Sequence, residues 1–200
     1  LKYKAFGTES IMFGDDTTGT IDNANANTGV GVDVFASLTQ GDNNVAIGNA
    51  AMNVTTTGGD NVAVGTSALA AQTTGGDNVA IGHLAMSTLT TAGNNVAVGD
   101  RAMQASTSGE NNVAVGTLAM DANTTGGSNV GVGRDALGAN TSGSNNTAVG
   151  KSALHTTTTS DNNTGVGFQA LYTLNGGVSN AALGHNALFN GTTCDNNTAV

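Results

Sequence analysis

The sequence predicts an all-β fold, a parallel β-roll or β-solenoid made of coils of 17 residues. Three observations predict it. A five-residue pattern, Asn-Val-Ala-Val-Gly and its close variants, starts at Asn27, Asn44, Asn61, Asn78, Asn95, Asn112, Asn129, Asn146, Asn163, Asn180 and Asn197, so each step is 17 with no insertion or deletion. Every complete copy closes on a glycine: Gly31, Gly48, Gly65, Gly82, Gly99, Gly116, Gly133, Gly150, Gly167 and Gly184. Inside each copy, large and small apolar residues alternate. A short fixed period without slippage describes a stack of equivalent coils, each touching only its neighbours. The same register extended backwards falls on Ser10-Ile11-Met12-Phe13-Gly14, a degenerate copy.

Each coil reads in four pieces. Val62-Ala63-Val64, Val79-Ala80-Ile81 and Val96-Ala97-Val98 alternate large-small-large. That period of two, with β-branched residues, marks a short strand whose valines face one way and whose alanines or glycines face the other. The glycine that follows marks a backbone bend that excludes a Cβ. Next comes an Ala-Leu or Ala-Met pair, such as Ala68-Leu69, Ala85-Met86, Ala119-Met120 or Ala153-Leu154, a second buried patch that is a short strand or a single helical turn. A Thr/Gly segment such as Thr73-Thr74-Gly75-Gly76-Asp77 closes the coil as a turn.

Coils in such a stack lie about 4.8 Å apart, so eleven of them make a rod on the order of 50 Å long. Equivalent residues then form columns. The asparagine column, Asn44, Asn61, Asn78, Asn95 and Asn112 among its members, is a stacked amide ladder or a row of turn residues ahead of the strands. Asn44, Asn61, Asn78, Asn95 and Asn112, with Gly48, Gly65, Gly82, Gly99, Gly116, Gly133, Gly150, Gly167 and Gly184, are the structural positions of the repeat. Few full-size apolar side chains per coil must offset the ordering of a whole coil of backbone. The alanine-lined flank is therefore expected to be covered by other copies of the chain, as in a homotrimer.

Composition agrees. The chain has 200 residues, 30 glycines, no proline and no tryptophan. Proline would remove a ladder hydrogen bond wherever it fell. The net charge of −9 argues against nucleic acid as a partner. No apolar run is long enough for a membrane span, and no signal peptide is visible. Residues 1–26 read as an irregular capping coil, with Asp15-Asp16-Thr17-Thr18 in place of an Ala-Leu pair, and residues 27–200 as the regular array. Gly7 already stands at the turn-glycine phase, and Val200 precedes an expected glycine, so both ends are expected to cut through a longer array.

Asn146–Leu154 (Asn-Thr-Ala-Val-Gly-Lys-Ser-Ala-Leu), Asn163–Tyr172 and the Asn123–Gly126 turn resemble the repeats of phage tail-fibre proteins. Those repeats are similar to the YadA-like head repeats of trimeric autotransporter adhesins, whose Ala-Ile-Gly cores resemble Ala46-Ile47-Gly48, although the adhesin repeat is usually shorter. The resemblance runs from about Ser10 to the end and implies a left-handed, trimeric roll with its coils stacked along a fibre.

Candidate chemistry is sparse. Asp16 and Asp33 share one phase on adjacent coils, and Asp60 and Asp77 share another. Stacked carboxylates of this kind serve a retaining glycosidase or a calcium site, and Asp60 and Asp77 are the weak metal candidates; exposed turn acids are the plainer reading. His83 and His185 share a tolerant phase and read as surface residues, as does His155. Cys194 is single, at the turn-glycine phase, so it has no partner within the chain. Asn53-Val54-Thr55 and Asn140-Thr141-Ser142 match a glycosylation pattern that this composition produces by chance. The Thr90, Thr107, Thr124, Thr141 and Thr158 phase offers a column for ice binding. No catalysis and no cofactor are expected. The reading these features favour is a structural shaft or head segment of a virion tail fibre or extracellular filament, supporting host attachment through a cell-surface glycan or protein receptor of the parent fibre. The alternative is a trimeric autotransporter-type adhesin head on a cell surface, binding host or matrix directly; Phe168, Tyr172 and Phe189 are the mild aromatic cluster it would use.

Overall fold

A computed structural model of the chain describes residues 3–5, 10–14 and 23–200. It is a β-solenoid with a single sheet of 13 strands in strict chain order, and no helix occurs among the described residues. Strand β1 (Tyr3–Ala5) pairs antiparallel with β2 (Ile11–Gly14). From β2 onwards every pairing is parallel: β3 (Thr28–Gly31), β4 (Val45–Ile47), β5 (Val62–Val64), β6 (Val79–Ile81), β7 (Val96–Val98), β8 (Val113–Val115), β9 (Val130–Val132), β10 (Thr147–Val149), β11 (Thr164–Val166), β12 (Ala181–Leu183) and β13 (Thr198–Ala199). The register is one repeat per strand: Val45 faces Val62, Val62 faces Val79, and Val79 faces Val96. Asp15, Asp16, Thr17, Thr18 and Gly7 lie outside the described residues.

The strand's middle residue points inward. Ala46, Ala63, Ala80, Ala97, Ala114 and Ala148 have no solvent exposure, and they share one core with Met52, Leu69, Met86, Met103, Met120, Leu137, Leu154 and Leu171, equally inaccessible. A Cβ placed on Gly131, which occupies the alanine position, would come 2.9 Å from Met120 Cγ. This corrects the expected interface: the alanine flank is filled by the chain's own Leu/Met column, and it is small because that column leaves space only for a methyl group. The valines are the outer face.

The Ala-Leu segment is neither strand nor helical turn. It is a run of turns in which the second and fourth residues after the bend glycine take left-handed backbone, as at Ser67 (φ 57°) and Leu69 (φ 50°) or Arg101 (φ 55°) and Met103 (φ 52°). Such a conformation costs a bulky residue roughly 1–2 kcal/mol. Two gains offset it: the Leu69 side chain is fully buried, and its N–H donates to the Ala85 carbonyl of the next coil at 3.1 Å. The bend glycines need their identity for space. Gly99 has φ 143°, and a Cβ there would lie 2.5 Å from the Gly116 carbonyl oxygen.

Candidate functional site

Each strand of the regular array presents two side chains outward on either side of the inward alanine or glycine. The first outward column is Thr28, Val45, Val62, Val79, Val96, Val113, Val130, Thr147, Thr164, Ala181 and Thr198; the second is Val30, Ile47, Val64, Ile81, Val98, Val115, Val132, Val149, Val166, Leu183 and Val200. Neither column contains a charge. Val30, Ile47, Ile81, Val115 and Val149 are 37–40% exposed, and Leu183 is 55% exposed. At about 4.8 Å per strand, the strip has an area on the order of 500 Å², the size of the largest apolar patch that monomers usually leave in water. Near its C-terminal end the strip carries a groove of about 310 Å³ lined by Thr164, Val166, Ala181, Leu183, Thr198 and Val200, with Ala182 and Ala199 at its floor.

The asparagine column is the polar spine behind this face. Asn44 Oδ1 accepts the Asn61 backbone N–H at 3.0 Å, and Asn61 Nδ2 donates to the Gly75 carbonyl at 3.1 Å and to Asn44 Oδ1 at 3.1 Å. The same bonds recur at Asn78, Asn95 and Asn112, all without solvent exposure. Between the two readings of these asparagines, the geometry is a stacked amide ladder.

A second buried polar column went unrecognised in the sequence. Leu38, Thr55, Gln72, Leu89, Ser106, Asn123, Asn140, Thr157 and Leu174 share one phase and are all fully buried. Thr55 Oγ1, Gln72 Oε1, Ser106 Oγ, Asn140 Oδ1 and Thr157 Oγ1 have no hydrogen-bond partner. The signal that could have revealed it was leucine at 38, 89 and 174 within an otherwise polar turn.

The remaining acidic candidates lie in the bends between strands, Asp60 and Asp77 on adjacent coils. Asp60 and Asp77 are exposed residues in left-handed backbone (φ 58° and 59°), and Asp60 Oδ1 accepts from Asn43 Nδ2. Asp33 has φ 55°, while its column partner Asp16 lies outside the described residues. Among the described residues no three His, Cys, Asp or Glu side chains converge as a metal site. His83 Nδ1 lies 2.8 Å from Asp100 Oδ1, and Arg101 Nε lies 3.2 Å from Asp100 Oδ2. The hydrogen bond from His83, then that from Arg101, holds the Asp100 carboxyl below its ordinary value. Burial pushes the Asp121 carboxyl up, and the negative charge of Asp135 adds to the shift.

Rings stack along the axis in the last coils: His155 on Tyr172 (5.2 Å), Tyr172 on Phe189 (5.1 Å) and Phe168 on His185 (5.2 Å), with Lys151 Nζ 5.9 Å from the Phe168 centroid. Thr90, Thr107, Thr124 and Thr141 donate their hydroxyl protons to the threonine carbonyl of the next coil, so this column stitches coils together. Cys194 is a free, half-buried thiol whose carbonyl accepts from Asn180 Nδ2. No helix among the described residues is long and apolar enough to cross a membrane. Comparison with known protein families, curated proteins and solved structures finds no match to this chain.

Proposed function

We propose that this chain is a rigid shaft segment of a homotrimeric surface fibre, on a virion or a cell envelope, that carries a host-attachment tip. The observation that carries this reading is the uncharged outward strip, which repeats with the pitch of the coils from Thr28 to Val200 and so matches itself along its whole length. Apolar side chains at this exposure favour burial against a second copy by about 25 cal/mol per Å² covered. The count of three rests on the resemblance to phage tail-fibre and YadA-like repeats carried by Asn146–Leu154 and Asn163–Tyr172.

Scattered surface features support a spacer over a receptor-binding head. The stacked rings of His155, Phe168, Tyr172, His185 and Phe189 in the last coils lie face to face, which turns their edges outward and leaves little ring face for a sugar. Sedimentation equilibrium over a wide concentration range tests the proposal: the expected species has three times the chain mass. A folded monomer at every concentration would remove it. Binding of the isolated trimer to host cells, abolished by Tyr172→Ala, would instead favour the adhesin reading.

A further inference from the structure

The outward strip repeats so closely that it does not by itself define how two copies align. Shifting one copy by a single coil replaces Val96 and Val98 by Val113 and Val115, the same pair of side chains. From β5 to β9 the largest change on such a shift is one methylene, at Ile81. Thr147 and Thr164 are nearly the shape of valine and add no step in size. One strand differs. In β12 the first outward residue is Ala181 and the second is Leu183, a small-large pair where every other strand of the regular array from β3 to β13 carries two β-branched residues; β2, ahead of that array, carries Ile11 and Phe13.

We propose that this strand sets the register between copies, with Leu183 of one copy seated in the groove beside Ala181 of its neighbour. The inference rests on the homotrimer reading above. In any parallel cyclic assembly about the rod axis, rotation carries the first outward column of one copy against the second outward column of the next. In register, the 55%-exposed Leu183 therefore meets the 310 Å³ groove that Ala181 leaves open. One coil out of register, Leu183 meets Thr164 or Thr198, whose branched side chains occupy that space, and Ala181 faces Val166 or Val200 across a void. Misfit of both kinds, overpacking and cavity, disfavours the slipped state. The pocket is incomplete in one chain and is filled by the partner copy's leucine.

Disulfide trapping between two chains of different tag length tests this. Each chain carries Cys194→Ser and one new cysteine. Thr147→Cys paired with Val149→Cys reports the in-register state, and Thr147→Cys paired with Val166→Cys reports a slip of one coil. The expected yield of mixed cross-link favours the in-register pair by at least about tenfold, a factor that corresponds to about 1.4 kcal/mol. Adding Ala181→Val and Leu183→Val to both chains restores the common pair, and the ratio should fall towards one while the trimer persists. Equal yields in the starting chains, or a ratio unmoved by the double substitution, would overturn the register proposal and leave the trimer standing. A monomer by sedimentation would overturn both.

Discussion

Two polar columns run through the interior at equal depth, yet one is asparagine at every coil from Asn27 on, with Ser10 at its head, and the other accepts almost anything. The difference lies in the backbone N–H at each phase. At the asparagine phase that N–H has no backbone acceptor; the Asn112 N–H donates to Asn95 Oδ1 of the preceding coil at 2.9 Å. At the second phase the N–H is already bonded within its own turn, as Asn123 N–H to the Met120 carbonyl or Thr157 N–H to the Leu154 carbonyl. No side chain there is needed to satisfy a backbone N–H; Asn123 Nδ2 donates to the Gly126 carbonyl, but Leu89, Ser106 and Thr157 are accommodated without such a bond. Burial alone does not restrict a position; burial beside an unsatisfied backbone group does.

The most disruptive way to probe this contrast is Asn95→Ala. It orphans the Asn112 N–H and the Gly109 carbonyl, which lose their bonds to Oδ1 and Nδ2. At about 1–3 kcal/mol per buried unsatisfied group, a loss of roughly 3 kcal/mol or more is expected in urea unfolding. A loss below about 1 kcal/mol would mean that the column is ornamental. Thr157→Val, in the tolerant column, should act in the opposite direction. It removes a buried hydroxyl that has no partner and keeps the shape, so a gain of roughly 1 kcal/mol is expected by the same measurement. Destabilisation instead would place an unseen acceptor or water on that hydroxyl.

Smaller effects test whether half-buried and exposed acids follow the same rule. The Asp121 carboxyl is raised by burial in the fold, so the folded state holds its proton to higher pH than the unfolded chain. Its contribution then improves as pH falls through the folded value, and at neutral pH the charged form disfavours folding. Asp121→Asn should raise the unfolding free energy at pH 7, by less than about 1 kcal/mol after allowance for solvent screening. The gain should shrink below the raised folded value. Asp100 has the opposite sign. Its carboxyl is lowered by His83 and Arg101, so its stabilising contribution is full above the ordinary carboxylate value and disappears as pH drops through the lower folded value. Asp100→Asn and the starting chain should therefore converge in thermal midpoint only below about pH 3.9. Convergence already at pH 6 would show that the pairing with His83 has no measurable effect.

Much of this molecule was legible in one dimension. The 17-residue return of Asn44, Asn61 and Asn78 specifies the parallel register, because a period without slippage has one way to stack. The bend glycines and three-residue strands follow from the same spacing, since alternation and an excluded Cβ are local properties. What only the tertiary structure decided is which side of each strand is inside. Alternation distinguishes two faces without naming the buried one, and the Leu69 and Met86 column, in left-handed backbone no spacing reveals, curls back under Ala63 and Ala80 and turns the valines outward. The second polar column was hidden for the same reason: a Thr/Gly turn reads as solvent-exposed until the coil closes over Thr55 and Ser106. Sequence periodicity encodes neighbours along the stack, whereas inside and outside depend on how each coil closes in cross-section.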